Sequence, residues 1–199
     1  ASGTYTGPYW MDSDAYKWLE AASYSLATHP DSELESRVEE VITIIAGAQQ
    51  EDGYLNTYFQ RVEPDKKWTN LGMGHELYCA GHLIEAAIAH YHATGKQSLL
   101  EIARRFADHI DTVFGPGKLS GLPGHEDIEM ALVALYRLTH ENRYLKLAQY
   151  FIDGRGSSHP RFRWELAHLD EIGGGPQKMN QQFYGTDENY KGYYSQDHL

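Results

Sequence analysis

The chain has 199 residues, 41% hydrophobic and 23% charged, and its 17 basic against 28 acidic residues give a net charge of −11. This is enough for one sizeable core, and the acidic balance argues against nucleic acid or an anionic membrane surface as a partner. One cysteine excludes an internal disulfide and any Cys-x-x-Cys zinc pair, and no apolar run approaches the ~18–20 residues of a membrane span.

Residues 1–11 hold Gly3, Gly7, Pro8, Tyr5, Tyr9 and Trp10 and read as an extended arm. A first helix is expected from about residues 12–14, with acids at the positive end of its dipole. It carries Trp18, Leu19, Ala21, Ala22, Tyr24 and Leu26, apolar almost all round, and ends before His29-Pro30. A second helix starts at Asp31 or Ser32, with Leu34, Val38, Val41, Ile42 and Ile45 on one stripe. Gln49 to Thr57 reads as a turn leading to a short extended segment.

Residues 72–94 then read as a glycine turn followed by a third helix. At about 100° per residue, Leu77, Ala80, Ile84, Ala87, Ile88 and Tyr91 share one face. His75, Cys79, His82 and Ala86 share the opposite one. Neither face suits bulk water, so this helix is expected to be buried on both sides. A fourth helix spans about 97–114, with Leu99, Ala103, Phe106, Ile110 and Val113 inward. A fifth begins at His125 and is again apolar nearly all round, through Ile128, Met130, Ala131, Leu132, Val133 and Leu135. A sixth spans about 142–153, with Leu145, Ala148, Phe151 and Ile152 inward.

A repeat links these helices. At an offset of 45, Ala86 matches Ala131, Tyr91 Tyr136, Ala103 Ala148, Phe106 Phe151 and Asp108 Asp153. The expected fold is therefore all-α: three hairpins, each with an inner and an outer helix, forming part of the wall of an α/α toroid. The expected division is an arm at 1–11, hairpins over 12–154 and a loop-rich segment over 155–199, with one short helix near 162–172. A closed toroid needs about twice as many hairpins, and a repeat array must cap or close its ends. With no initiator Met and an end that reads like the entry to another helix, the chain is expected to be a fragment. The compartment stays open, with the cytoplasm or periplasm of a bacterium favoured, and a homodimer is left open.

His75 and His125 are the sharpest pair of candidates, since each follows a glycine at the start of an inner helix. Parallel inner helices bring both to the same mouth, where neutral imidazoles can bind sugar hydroxyls or relay a proton. Capping or packed histidines are the plainer alternative, and His82, two turns deeper, reads as a satisfied core histidine. His75 with Cys79 offers only two ligands where structural zinc takes four, so no metal is assigned to the chain and Cys79 reads as packing. Glu76, Asp52, Glu126, Asp127, Glu129 and Asp197 are candidates for a glycosidase carboxylate pair, but spacing cannot select one. Gln50-Glu51-Asp52-Gly53-Tyr54-Leu55 has a plain turn as its simplest reading.

Several runs occur together in order: Tyr16-Lys17-Trp18-Leu19-Glu20-Ala21, Gln50-Glu51-Asp52-Gly53-Tyr54-Leu55-Asn56-Thr57, His75-Glu76-Leu77-Tyr78-Cys79-Ala80-Gly81-His82, Gly124-His125-Glu126 and Tyr194-Ser195-Gln196-Asp197-His198. With them the chain resembles the front part of a glycoside hydrolase family 127 β-L-arabinofuranosidase, the former DUF1680 group. The resemblance implies an (α/α)6 barrel, retaining exo-hydrolysis of arabinofuranosides and a zinc-bound cysteine nucleophile. It implies sugar contacts by His75 and His125, and by His198 as a third histidine; Tyr78, in the same run as His75, is a further expected substrate contact. The family's zinc ligands, one Glu and three Cys, have no match here, and neither does its general acid. Zinc is thus expected only in a full-length member, the catalytic residues of this chain remain unassigned, and the expected partner is an oligosaccharide or glycoside. Two rivals stay open: another helical-hairpin sugar enzyme, such as an unsaturated glucuronyl hydrolase, and a non-catalytic helical-repeat binding module.

Overall fold

The computed structural model describes residues 7–155, 164, 165, 168 and 171. Among these, seven α-helices and one 3-10 turn make up the regular structure. They are α1 (Asp12–Thr28), α2 (Ser32–Ala48), α3 (Thr57–Arg61), the 3-10 turn (Pro64–Lys66), α4 (Glu76–Thr94), α5 (Ser98–Val113), α6 (Ile128–Thr139) and α7 (Asn142–Gly154).

Three hairpins, α1–α2, α4–α5 and α6–α7, stand side by side. α1, α4 and α6 pack against one another as an inner row, and α2, α5 and α7 lie outside. This is the arc of an α/α toroid. The repeat has a physical basis in its core: Ala86 and Ala131, Ala103 and Ala148, and Phe106 and Phe151 are all fully buried.

Local chemistry sets the ends of the helices. The Asp31 carboxylate caps α2 by accepting from Glu33 N at 2.9 Å and Leu34 N at 3.1 Å. α4 ends at Gly95, whose φ of 72° is the left-handed C-terminal stop that glycine takes without cost. Between these ends α4 is the central strut, touching α1, α5 and α6. Ala80, Gly81, Ala86 and Ala87 along it let the neighbouring backbones approach closely.

Several sequence expectations need correction. Of the inner helices α4 is buried on both sides as expected, but α1 and α6 are not buried all round: Trp18, Tyr24 and Met130 stand on their exposed flanks. In α7 the inward set is Tyr144, Leu147, Ala148 and Phe151, while Leu145 and Ile152 are exposed. The expected extended segment after the α2 turn coils into α3, capped by Asn56 Oδ1 accepting from Phe59 N at 3.1 Å. Residues 8–13 wind in turns (Met11 N to Pro8 O 3.1 Å, Ser13 N to Trp10 O 3.0 Å) in place of an extended arm, and bury Tyr9. α6 begins at Ile128, so His125 sits in the turn before it. Most of the expected loop-rich segment, with Tyr194, Asp197 and His198, lies outside the described residues.

Candidate active site

Two histidines meet where α4 and α6 begin. His75 Nε2 and His125 Nε2 are 3.0 Å apart. Tyr78, one turn along α4, packs edge-on to His75 and tilted against His125, with ring centroids 5.4 and 5.0 Å away. Lys17 from α1 donates to the Tyr78 hydroxyl at 2.5 Å. Tyr9 and Trp10 cover His75 from the chain start, at centroid distances of 5.6 and 5.1 Å. The chain start, α1, α4 and the turn before α6 thus build one aromatic corner with two imidazole nitrogens facing each other.

The tautomers follow from donor and acceptor chemistry. His75 Nδ1 contacts the Met73 carbonyl, which can only accept, so Nδ1 carries the proton. Neutral His75 then offers an Nε2 lone pair, and His125 must donate its Nε2–H to it. Burial pushes the His75 imidazole down to about 4, with His125 and Lys17 adding to the shift. Burial lowers His125 as well. Both rings are neutral near pH 7, one as acceptor and the other as donor.

Each histidine stands on a turn tied down by a buried carboxylate. His75 caps α4 in the left-handed region (φ 56°, ψ 19°), and Trp68 is left-handed too (φ 58°). Such conformations cost a bulky residue about 1–3 kcal/mol and persist where surroundings impose them. Here Glu76 is fully buried, accepts from Trp68 N at 2.8 Å and shares a short hydrogen bond with the Tyr54 hydroxyl. Glu165 accepts from Leu71 N and Gly72 N, both at 3.1 Å. On the other turn, Arg155 donates to the carbonyls of Pro123 (3.2 Å) and His125 (3.1 Å), and Glu129 holds it at 2.8–2.9 Å. Gly124 N donates to Leu71 O at 3.1 Å and joins the two turns.

The acids considered as a glycosidase pair separate by role. Glu76 and Glu129 are these buried anchors. Glu126 is largely exposed and pairs with Arg155 at 3.1 Å. Asp52 accepts from Tyr54 N at 3.0 Å within its own turn. Asp127 lies over Gly81 of α4, so closely that a Cβ on that glycine would come within 2.2 Å of its Oδ2. Burial raises Asp127 to about 6.

His82 is not a satisfied core histidine. Its Nδ1 is 3.5 Å from Glu85 Oε2 and its Nε2 3.9 Å from Asp127 Oδ2, too far for hydrogen bonds. With Glu20 and Glu85 it forms a group whose ligand atoms lie within 4.8 Å of one another, the set of described residues suited to a cation. Cys79 is fully enclosed, with Sγ 3.7 Å from the Trp10 carbonyl, and burial pushes its thiol well up. The zinc site of one Glu and three Cys expected from the resemblance does not fit a chain with a single cysteine so placed.

The structure therefore brings His75, His125 and Tyr78 together, while His198 lies outside the described residues. Lys17, Trp10, Arg155 and Tyr54 were not singled out from sequence as parts of this site. The Gln50 to Leu55 run was the one signal that could have pointed to Tyr54.

The family model for the β-L-arabinofuranosidase, GH127 catalytic domain, matches residues 2–198. The chain belongs to GH127. It is 48% identical, over 162 residues, to the non-reducing end β-L-arabinofuranosidase of Bifidobacterium longum subsp. longum, covering 78% of this chain and 24% of that protein. The crystal structure of a GH127 β-L-arabinofuranosidase from Geobacillus stearothermophilus T6 superposes with a TM-score of 0.82 at 50% identity, over 87% of this chain and 28% of that one. A second GH127 β-arabinofuranosidase structure gives a TM-score of 0.72 at 41% identity, over 79% of this chain and 27% of its own. The chain thus spans about a quarter of the length of the GH127 relatives it matches.

Proposed function

We propose that this chain is the front part of a GH127 β-L-arabinofuranosidase and supplies one wall of its sugar pocket. The observation that carries the reading is the His75–His125 contact at 3.0 Å. A neutral acceptor nitrogen and a neutral donor N–H face one another there, beside the Tyr78 ring and under Trp10. A sugar hydroxyl donates and accepts at one oxygen, so it can replace either imidazole as the other's partner. Tyr78 and Trp10 offer flat apolar faces to the C–H groups of the furanose ring. His198 is proposed as a further contact.

The role of this wall is binding and orientation. Neutral histidines hold hydroxyls in place without adding charge, and the aromatic cover keeps water from those hydrogen bonds. The covalent chemistry falls outside this wall. The enclosed Cys79 thiol is no nucleophile, and both oxygens of Glu76 are engaged, by the Tyr54 hydroxyl and Trp68 N. We place the zinc, its thiolate and the general acid of the retaining reaction C-terminal to this chain.

The test is hydrolysis by the full-length protein of aryl β-L-arabinofuranoside, compared with α-L-arabinofuranoside and unsaturated glucuronyl substrates, with NMR of the first-formed anomer. The reading predicts preference for the β-L-arabinofuranoside and a product of retained configuration. No hydrolysis, or preference for another glycoside, overturns it.

A further inference from the structure

The Gln50 to Leu55 run is explained by what it does for His75. Gly53 has φ 90°, and a Cβ there would meet the Arg105 carbonyl of α5 at 2.3 Å, so this glycine lets the turn lie directly on the α5 backbone. The next residue, Tyr54, is thereby driven into the core, where its ring meets Trp68 and Phe106 edge-on at 5.3 and 5.8 Å. Lys67 Nζ lies 4.2 Å from the centre of the same ring. The tyrosine hydroxyl reaches Glu76, and the other Glu76 oxygen holds Trp68 N.

From Trp68 the chain runs to His75 as a strap fixed along its length. Met73 N donates to Asn70 Oδ1 at 2.9 Å, Gly74 N to Asn70 O at 2.7 Å, and Glu165 takes the amides of Leu71 and Gly72. Gly74 has no room for a side chain, since a Cβ would come 2.5 Å from Asn70 O. The strap ends with His75 Nδ1 on the Met73 carbonyl.

We propose that Tyr54 and Glu76 are positioning residues: together they anchor the 68–75 strap to the α5 core and so aim the His75 imidazole at His125. This rests on the GH127 reading for its substrate, and it extends the site to two residues that do not themselves face the sugar. Glu76 serves in either protonation state. As a carboxylate it accepts from Tyr54 O–H, and as an acid it donates to the Tyr54 oxygen while still accepting from Trp68 N. An amide at this position offers the same donor and acceptor.

The experiment uses the full-length protein with Tyr54→Phe, Glu76→Gln and Glu76→Ala, each alone and combined with His75→Ala. Kinetics on an aryl β-L-arabinofuranoside are measured alongside the rate at which diethyl pyrocarbonate acylates His75, read by peptide mass spectrometry. Tyr54→Phe keeps the ring in the core, and its far-UV circular dichroism and melting transition report that the fold persists. The expected result is a kcat/KM loss of about ten-fold for Tyr54→Phe, rescue toward wild type for Glu76→Gln relative to Glu76→Ala, and faster acylation of His75 in Tyr54→Phe. In the His75→Ala background the Tyr54→Phe loss disappears, because both act through one imidazole. Equal Tyr54→Phe losses in both backgrounds, or an unchanged acylation rate, overturn the proposal. If wild type hydrolyses no arabinofuranoside, the substrate reading fails instead, and the acylation rates alone decide the strap.

Discussion

His125 donates its Nε2 proton to His75 Nε2 across 3.0 Å, and the Met73 carbonyl at the far side of the His75 ring is what sets that direction. The relationship makes one imidazole an acceptor and the other a donor at the same spot. It also has a pH signature. His75 is pushed down to about 4 by burial, so it is neutral above its ordinary range and remains so well below it. A depressed histidine contributes stability that is complete above about 6.5 and is lost as pH falls through the folded value. L-arabinose binding by the full-length protein, followed by calorimetry, should therefore be flat from about pH 6 to 8 and weaken as pH falls toward 4. A binding transition centred near the ordinary histidine value would contradict the assigned states.

Glu76 gives the opposite sign. Burial raises it to about 8, against hydrogen bonds from Tyr54 and Trp68 N that lower it. Its folded state prefers the proton, so its contribution is complete below about 4.5 and declines as pH rises toward 8. The Glu76→Gln variant lacks this titration. Thermal unfolding across this range should show wild type losing stability relative to Glu76→Gln as pH rises. A constant difference would mean that Glu76 does not change its protonation there.

Gly81 and Gly47 should respond oppositely to alanine. At Gly81 a Cβ would come within 2.2 Å of Asp127 Oδ2 and 3.1 Å of Ile128 N, so the Asp127 side chain must turn away and the first residues of α6 must give slightly. Gly81→Ala should cost about 1–3 kcal/mol in denaturant unfolding. Gly47 lies in α2 with nothing within 4 Å of its added Cβ, and Gly47→Ala should stabilise by about 0.5–1 kcal/mol. Equal effects at the two positions would refute the close approach of α6 to α4.

Cys79 should be inert in the native state. It is fully buried and its thiol is pushed well up, so the thiolate needed for alkylation is scarce. Iodoacetamide should label it only at the rate of unfolding, and Cys79→Ala should keep kcat/KM within about three-fold of wild type. Rapid native labelling together with loss of turnover would contradict this reading of Cys79 as packing.

The hairpin fold was legible because burial leaves a period in the letters. Phe106 and Phe151, 45 positions apart, fill equivalent core sites, and their neighbours Ala103 and Ala148 do the same. Periodicity marks apolar residues without saying what covers them, so Met130, Leu145 and Ile152 read as inward although they are exposed. The His75–His125 pairing was legible from two glycine–histidine steps at helix starts. The anchors were not. Nothing local connects Tyr54 with Glu76 or Arg155 with the carbonyl of His125, since these contacts depend on how distant turns meet. His82 misled for a related reason: its acidic neighbours Glu20 and Asp127 come from other elements.

The central claim is that His75 and His125 together hold the sugar, and kinetics of His75→Ala, His125→Ala and the double variant in the full-length protein test it most directly. On an aryl β-L-arabinofuranoside each single variant should lower kcat/KM by about 10–100-fold, the loss of a buried hydrogen bond to a hydroxyl. The double variant should lose less than the product of the two, because both residues serve one hydroxyl. Unchanged kcat/KM in either single variant would contradict the account.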